Sequence, residues 1–228
     1  MIRCGHCGKL LQEGSRFCAF CGQALKRSAG DSSPEVKEWL LKAGQAPDLI
    51  RRGKILMEAR SAFPDTLSVE YELLFIGHRR QGKGSFDYSI IKSYLLHMYF
   101  DPGLFSEQRK QENRTELFED PQLLRCQSLS EDPELLLRDY LVRLSTEYFD
   151  VFLTQDHRIN RSLFGFRFDR NADKAVSRAI GTMAGRMLAD EQLPPDRREQ
   201  LYNAFVQAAY QLLQGKTEWL EEALKGLR

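Results

Sequence analysis

The sequence predicts a mainly α-helical protein with a small cysteine-bearing module at its N-terminus. Three observations carry that expectation. Apolar side chains recur at helical spacing through most of the chain beyond residue 34. Prolines stand at the starts and stops of those segments rather than inside them. Four of the five cysteines fall within the first 21 residues.

The cysteines come first. Cys4 and Cys7, and Cys18 and Cys21, form two Cys-x-x-Cys pairs ten residues apart. Four thiolates in that layout can close a tetrahedral shell around one zinc ion. Each pair is followed by glycine, Gly8 and Gly22, where the chain must turn sharply after giving up its second sulfur. Two disulfides across the same segment would suit a secreted peptide. The N-terminus Met-Ile-Arg-Cys carries no apolar signal segment, however, and no run reaches the roughly 20 apolar residues of a membrane span. A reducing cytoplasm and a structural zinc site are the expectation. His6 lies between the first two cysteines, but four thiolates already fill the shell and leave no position for a reacting water. Residues 1–26 are too short for a core, with only Leu10, Leu11, Phe17, Phe20 and Leu25 to pack. The metal must therefore supply most of the module's folding energy, on the order of 10 kcal/mol.

The segments Cys4-Gly-His-Cys7-Gly8-Lys9 and Phe17-Cys18-Ala-Phe-Cys21-Gly22-Gln-Ala-Leu25 resemble the short zinc-ribbon family found at the N-termini of many bacterial proteins. The resemblance covers residues 2–25. It implies two zinc knuckles on a minimal β-hairpin, with the four cysteines as ligands of one Zn2+. It implies no particular function, because such ribbons serve as nucleic-acid contacts, docking modules or structural caps. The rest of the chain is similar to helical regions attached to such ribbons, a likeness that brings no activity with it.

Residues 27–33 have linker composition, and residues 34–228 read as one helical domain. Ser33-Pro34-Glu35 has the order of an N-cap, a first-turn proline and an early acid, opening a helix to about Lys42. A second helix is expected from about Pro47 to Ala62, stopped by Phe63-Pro64-Asp65, and a third from Ser68 with Val69, Leu73 and Ile76 on one side. Ile90, Ile91, Tyr94, Leu95, Met98 and Tyr99 form a wide apolar stripe that predicts a buried helix ending at Asp101-Pro102-Gly103. Residues 106–119 are charged nearly all round and predict an exposed helix. Asp132-Pro133 opens the longest helix, to about Thr154, carrying Leu137, Leu141, Leu144, Tyr148 and Phe152. Val176, Ile180, Met183 and Met187 mark another, in which Gly181 and Gly185 would admit a neighbouring helix closely. Leu201, Phe205, Ala208, Ala209 and Leu212 mark the next, and a short last helix starts near Thr217. Cys126 falls in a leucine-rich stretch and reads as a buried thiol.

Helix pairs joined by short loops predict an antiparallel multi-helix domain. The junction from Ala59 to Pro64 resembles the end of a tetratricopeptide repeat, but no second copy follows at the repeat's period of about 34 residues.

Charge excludes one class of function: 33 Lys and Arg against 32 Asp and Glu leave no bulk attraction for a polyanion. Two local features point the other way. Gly77-His-Arg-Arg-Gln-Gly82-Lys83-Gly84 nearly spells a phosphate-binding loop, but the Ser or Thr required after the lysine is Gly84. Its flanks also read as helix where the motif needs a preceding strand, so a basic inter-helix loop is expected. In the segment 157–170, Arg161, Phe164, Phe166, Arg167 and Phe168 combine aromatic and guanidinium groups that can stack on unpaired bases. The simpler expectation is that these phenylalanines pin an extended segment to the core. Within the ribbon, Arg3, Lys9, Arg16, Lys26 and Arg27 face only Glu13, and the zinc-thiolate centre takes back about two of those charges.

His6, His78, His97 and His157 are scattered, with no nucleophile and orienting acid near them in sequence. The functional expectation is a cytoplasmic, non-enzymatic protein: a structural zinc ribbon tethered to a helical domain that binds another protein, with no small-molecule substrate and no membrane. The alternative is a nucleic-acid-binding or regulatory protein using the ribbon and the 157–170 segment.

Overall fold

A computed structural model describes residues 2–3, 10–11, 33–76, 93–149, 170–213 and 217–227. The chain is mainly helical, as its periodicity predicts. It separates into two compact units, one of residues 1–79 and 121–137, the other of residues 80–120 and 138–228.

In the first unit, strand β1 (Ile2–Arg3) pairs antiparallel with β2 (Leu10–Leu11), setting Ile2 opposite Leu11 and Arg3 opposite Leu10. Helix α1 spans Pro34–Gly44. Its N-cap is the expected Ser33, whose hydroxyl oxygen accepts from the Val36 N–H at 3.1 Å, and proline fills the first helical position, where no N–H is needed. Helix α2 (Leu49–Ala62) is capped in the same way by Asp48, which accepts from the Arg51 N–H at 2.7 Å. It ends at Phe63-Pro64, and Asp65 turns the chain with φ of +61° before α3 (Leu67–Ile76) begins.

α1 packs on α2 and α2 on α3, the antiparallel arrangement that short loops enforce. The interior is two apolar clusters in succession along these helices. Val36, Ala59 and Val69 make the first, with Trp39 and Phe63 against it; Ala43, Leu56 and Ile76 make the second. Residues 121–137 bring α6 (Pro121–Leu129) and the start of α7 (Pro133–Tyr148), and α6 lies on α3.

The second unit opens with a tight 3₁₀ turn, Tyr94–Leu96, that runs into the one-turn helix α4, His97–Phe100. Sequence periodicity predicted a regular buried helix here. Its buried character holds at Leu95, Met98 and Tyr99, but the described part is half 3₁₀. In a 3₁₀ turn residues three apart eclipse, and Tyr94 and His97 stack with their ring centroids 5.0 Å apart. Pro102 stops α4 after one turn, and a second 3₁₀ turn (Pro102–Leu104) follows. Helix α5 (Glu107–Glu119) is the expected charged helix, but it buries Asn113, Leu117 and Phe118 along one side.

Most of α7 belongs to this unit, burying Tyr140, Leu141, Leu144 and Tyr148. α8 (Arg170–Leu188), α9 (Pro195–Leu213) and α10 (Glu218–Leu224) complete it. α8 is the hub, packing on α4, α9 and α10. Of the two glycines expected to admit a neighbouring helix, Gly181 does so, while Gly185 faces the side chain of Leu227 beyond α10. A Cβ on Gly181 would stand 2.8 Å from the Ala223 carbonyl oxygen of α10, closer than two such atoms can sit. The two helices touch backbone to backbone.

Candidate metal centre and buried polar clusters

The candidate metal ligands are Cys4, Cys7, Cys18 and Cys21. In sequence, Cys4 and Cys7 fall between β1 and β2, whose Arg3 and Leu10 pair. The four cysteines themselves, with Cys18 and Cys21 beyond β2, lie outside the described residues. As a donor set they fit zinc: four sulfurs, borderline-soft ligands, and no competing carboxylate between the pairs other than Glu13. Among the described residues no group of His, Cys, Asp and Glu could hold a metal ion.

Two other clusters of charged groups stand among the described residues. In the second unit, Asp190 is buried just past the end of α8. One of its oxygens, Oδ2, accepts from the Tyr99 hydroxyl and from Arg114 Nε, each at 2.8 Å. Burial pushes the Tyr99 hydroxyl well above the ordinary tyrosine range, and the neighbouring Asp190 charge pushes it further. Burial pulls the Arg114 guanidinium down, but its bond to Asp190 outweighs this and leaves it above its usual value. A tyrosine so held stays a protonated donor. It is the opposite of an activated base or nucleophile, and the cluster reads as a structural tie. Arg186 of α8 reinforces the tie by donating to the carbonyl oxygens of Tyr99 and Phe100 at 2.9 and 2.6 Å. Those carbonyls belong to the end of α4 and need such a donor.

In the first unit the corresponding centre is Glu70 of α3, whose side chain is 1% exposed. Its Oε1 lies 3.0 Å from Arg60 Nε of α2 and 2.9 Å from Arg125 Nε of α6. Gln122 Nε2 donates to Oε2 at 2.6 Å and to the Glu70 carbonyl oxygen at 3.0 Å. Arg125 also reaches Asp65 through Nη2 at 2.8 Å. Two cations facing two acids cancel, so this cluster offers no surplus charge to an anionic ligand. Contact with Glu70 raises the Arg125 guanidinium above its usual value.

His97 is the one histidine that the described residues include. It is buried among rings: Tyr94, Phe100, Phe105 and Tyr148 surround it, and its Nδ1 is 3.1 Å from the Tyr148 hydroxyl. This partner is not legible in the sequence, because Tyr148 stands 51 residues away. Cys126 is buried and forms no disulfide, in keeping with the expected buried thiol.

The phosphate-loop look-alike at 77–84 and the basic aromatic segment at 157–169 lie outside the described residues. The chain enters the first of these directly from α3, a helix where a phosphate-binding loop requires a strand.

Comparison with known proteins agrees with the cysteine pattern. A family model for the zinc-ribbon domain matches residues 3–25, so the N-terminus is a zinc ribbon, and that family implies zinc binding. No curated protein and no solved structure matches the chain.

Proposed function

We propose that the protein is a non-enzymatic adaptor, in which the zinc ribbon is a structural module and the helical body docks another protein. The single observation that carries the reading is the donor set itself. Cys4, Cys7, Cys18 and Cys21 would hold one Zn2+ with sulfur alone, and a closed shell serves architecture rather than catalysis.

Two further features support a protein partner. The buried titratable cluster around Asp190 is saturated and arranged against proton transfer. On α2, Ile50 and Met57 are 61% and 48% exposed and stand seven residues apart, two turns along one face. Large apolar side chains presented together on one helix face are what partner helices use. No helix among the described residues is long and apolar enough to cross a membrane. A cytoplasmic location is part of the proposal and rests on the clustering of cysteines in a metal-binding pattern.

Native affinity purification tests the reading. The intact chain should recover a partner protein, and Ile50→Asp with Met57→Asp should lose it while the circular dichroism spectrum is retained. Recovery of nucleic acid instead would overturn the reading, above all if the complex dissolves with salt and fails with Arg167→Glu. It would install the ribbon and the Arg161 to Phe168 segment as the working surface.

A further inference from the structure

Helix α6 is held unlike any other element of its unit. The chain leaves that unit at residue 79 and returns to it at residue 121, so α6 arrives from a distant part of the sequence to close over α3. It is nine residues long, shorter than the roughly 12–15 at which an isolated helix is even marginal in water. Only Leu123 and Cys126 of it are buried.

Its remaining attachment is polar and converges on one place. Gln122 and Arg125, three residues apart and so on one face, both meet Glu70, Gln122 by a hydrogen bond and Arg125 as an ion pair. Arg125 also bonds Asp65, the residue whose left-handed backbone makes the turn between α2 and α3. Arg60 of α2 shares the same carboxylate oxygen. One guanidinium therefore joins the turn, α3 and α6. Removing it leaves Glu70 to Arg60 and Gln122 alone and loosens the turn and α6 together.

We propose that α6 is a strap that opens from α2 and α3 as a unit, with Arg125 as its latch. A nine-residue helix with two buried side chains cannot hold its shape once detached, so release is all-or-none for the strap while α1–α3 keep both apolar clusters. Cys126, buried on the inner side of α6, is the group that release uncovers.

The test is alkylation of Cys126 by iodoacetamide in the full zinc-loaded chain, followed by peptide mapping that separates it from the N-terminal cysteines, across a urea series below global unfolding. Arg125→Ala should raise the rate without urea by about tenfold or more, the ratio that matches roughly 1.4 kcal/mol of local stability. The rate should depend on urea far more weakly than unfolding followed by circular dichroism, because a local opening exposes little surface. Arg125→Lys, which keeps the charge but not the fork, should fall between wild type and alanine. An unchanged rate in Arg125→Ala overturns the proposal. So does labelling that follows the global unfolding curve with the same urea slope in every variant.

Discussion

Asp190 shows how a single side chain can carry an element junction. It accepts from Tyr99 and Arg114 on one oxygen, so replacing it leaves a hydroxyl and a guanidinium buried with nothing to bond. Asp190→Ala should cost about 3–5 kcal/mol in a urea titration, and Asp190→Asn, which keeps an acceptor, visibly less. Equal losses in the two variants would show that the oxygen's bonds do not matter. Tyr99 adds a pH dependence. Its folded-state value lies above the ordinary 10.0 of the unfolded chain, so folding favours the protonated form. That contribution is complete below about pH 10 and is lost as pH rises beyond it. Urea midpoints should fall above pH 10, and Tyr99→Phe should flatten that fall; a profile identical in both would contradict the assignment.

Gly181 is the test at the scale of elements. Helix propensity favours alanine over glycine by about 1 kcal/mol, but here a Cβ meets the Ala223 backbone at 2.8 Å, a contact that cannot be relieved by a side-chain rotation. Overpacking of this kind costs about 1–3 kcal/mol and should win. Lys174 of α8 sits 4.2 Å from the centroid of the Trp219 ring on α10, which makes that tryptophan a local reporter. In a Trp39→Phe background, Gly181→Ala should red-shift Trp219 emission; no shift would mean the helices do not meet there.

The elements also differ in how far the sequence disclosed them. α1, α2 and α9 were legible because cap, proline and apolar stripe agree, Ser33-Pro34 above all. α6 was not expected. Its nine residues hold too few turns to make a stripe, and what places it is a polar network with Glu70, 52 residues away at Gln122. Periodicity cannot report such a bond. The 3₁₀ turn at Tyr94–Leu96 escaped for a related reason: the same stripe fits either winding, and the eclipsed Tyr94–His97 stack belongs to the tighter one. The helix-period pattern on Val176, Ile180, Met183 and Met187 was reliable because all four are buried on the hub helix.

At the scale of the whole molecule, the chain divides between a short zinc-ribbon module and a mainly helical remainder. The division has a direct consequence. A strong chelator should unfold the ribbon while leaving far-UV helical signal and the urea midpoint of the body unchanged, since no group that could hold a metal occurs among the described helices. Loss of helical signal with the metal would mean that the body leans on the ribbon. The spacing of four cysteines was enough to read a zinc ribbon at the N-terminus, and the family match at residues 3–25 supports that module. Metal spacing is a local constraint that a sequence states outright. Buried clusters such as Asp190 with Tyr99 and Arg114 join residues 76 to 91 apart and are stated only by the fold.

The most direct measurement is the metal content of the purified chain by elemental analysis, beside a Cys18→Ser, Cys21→Ser variant. The account predicts one zinc per chain, reduced to background in the variant. Metal-free wild-type protein, or a variant that keeps its full zinc, would contradict it.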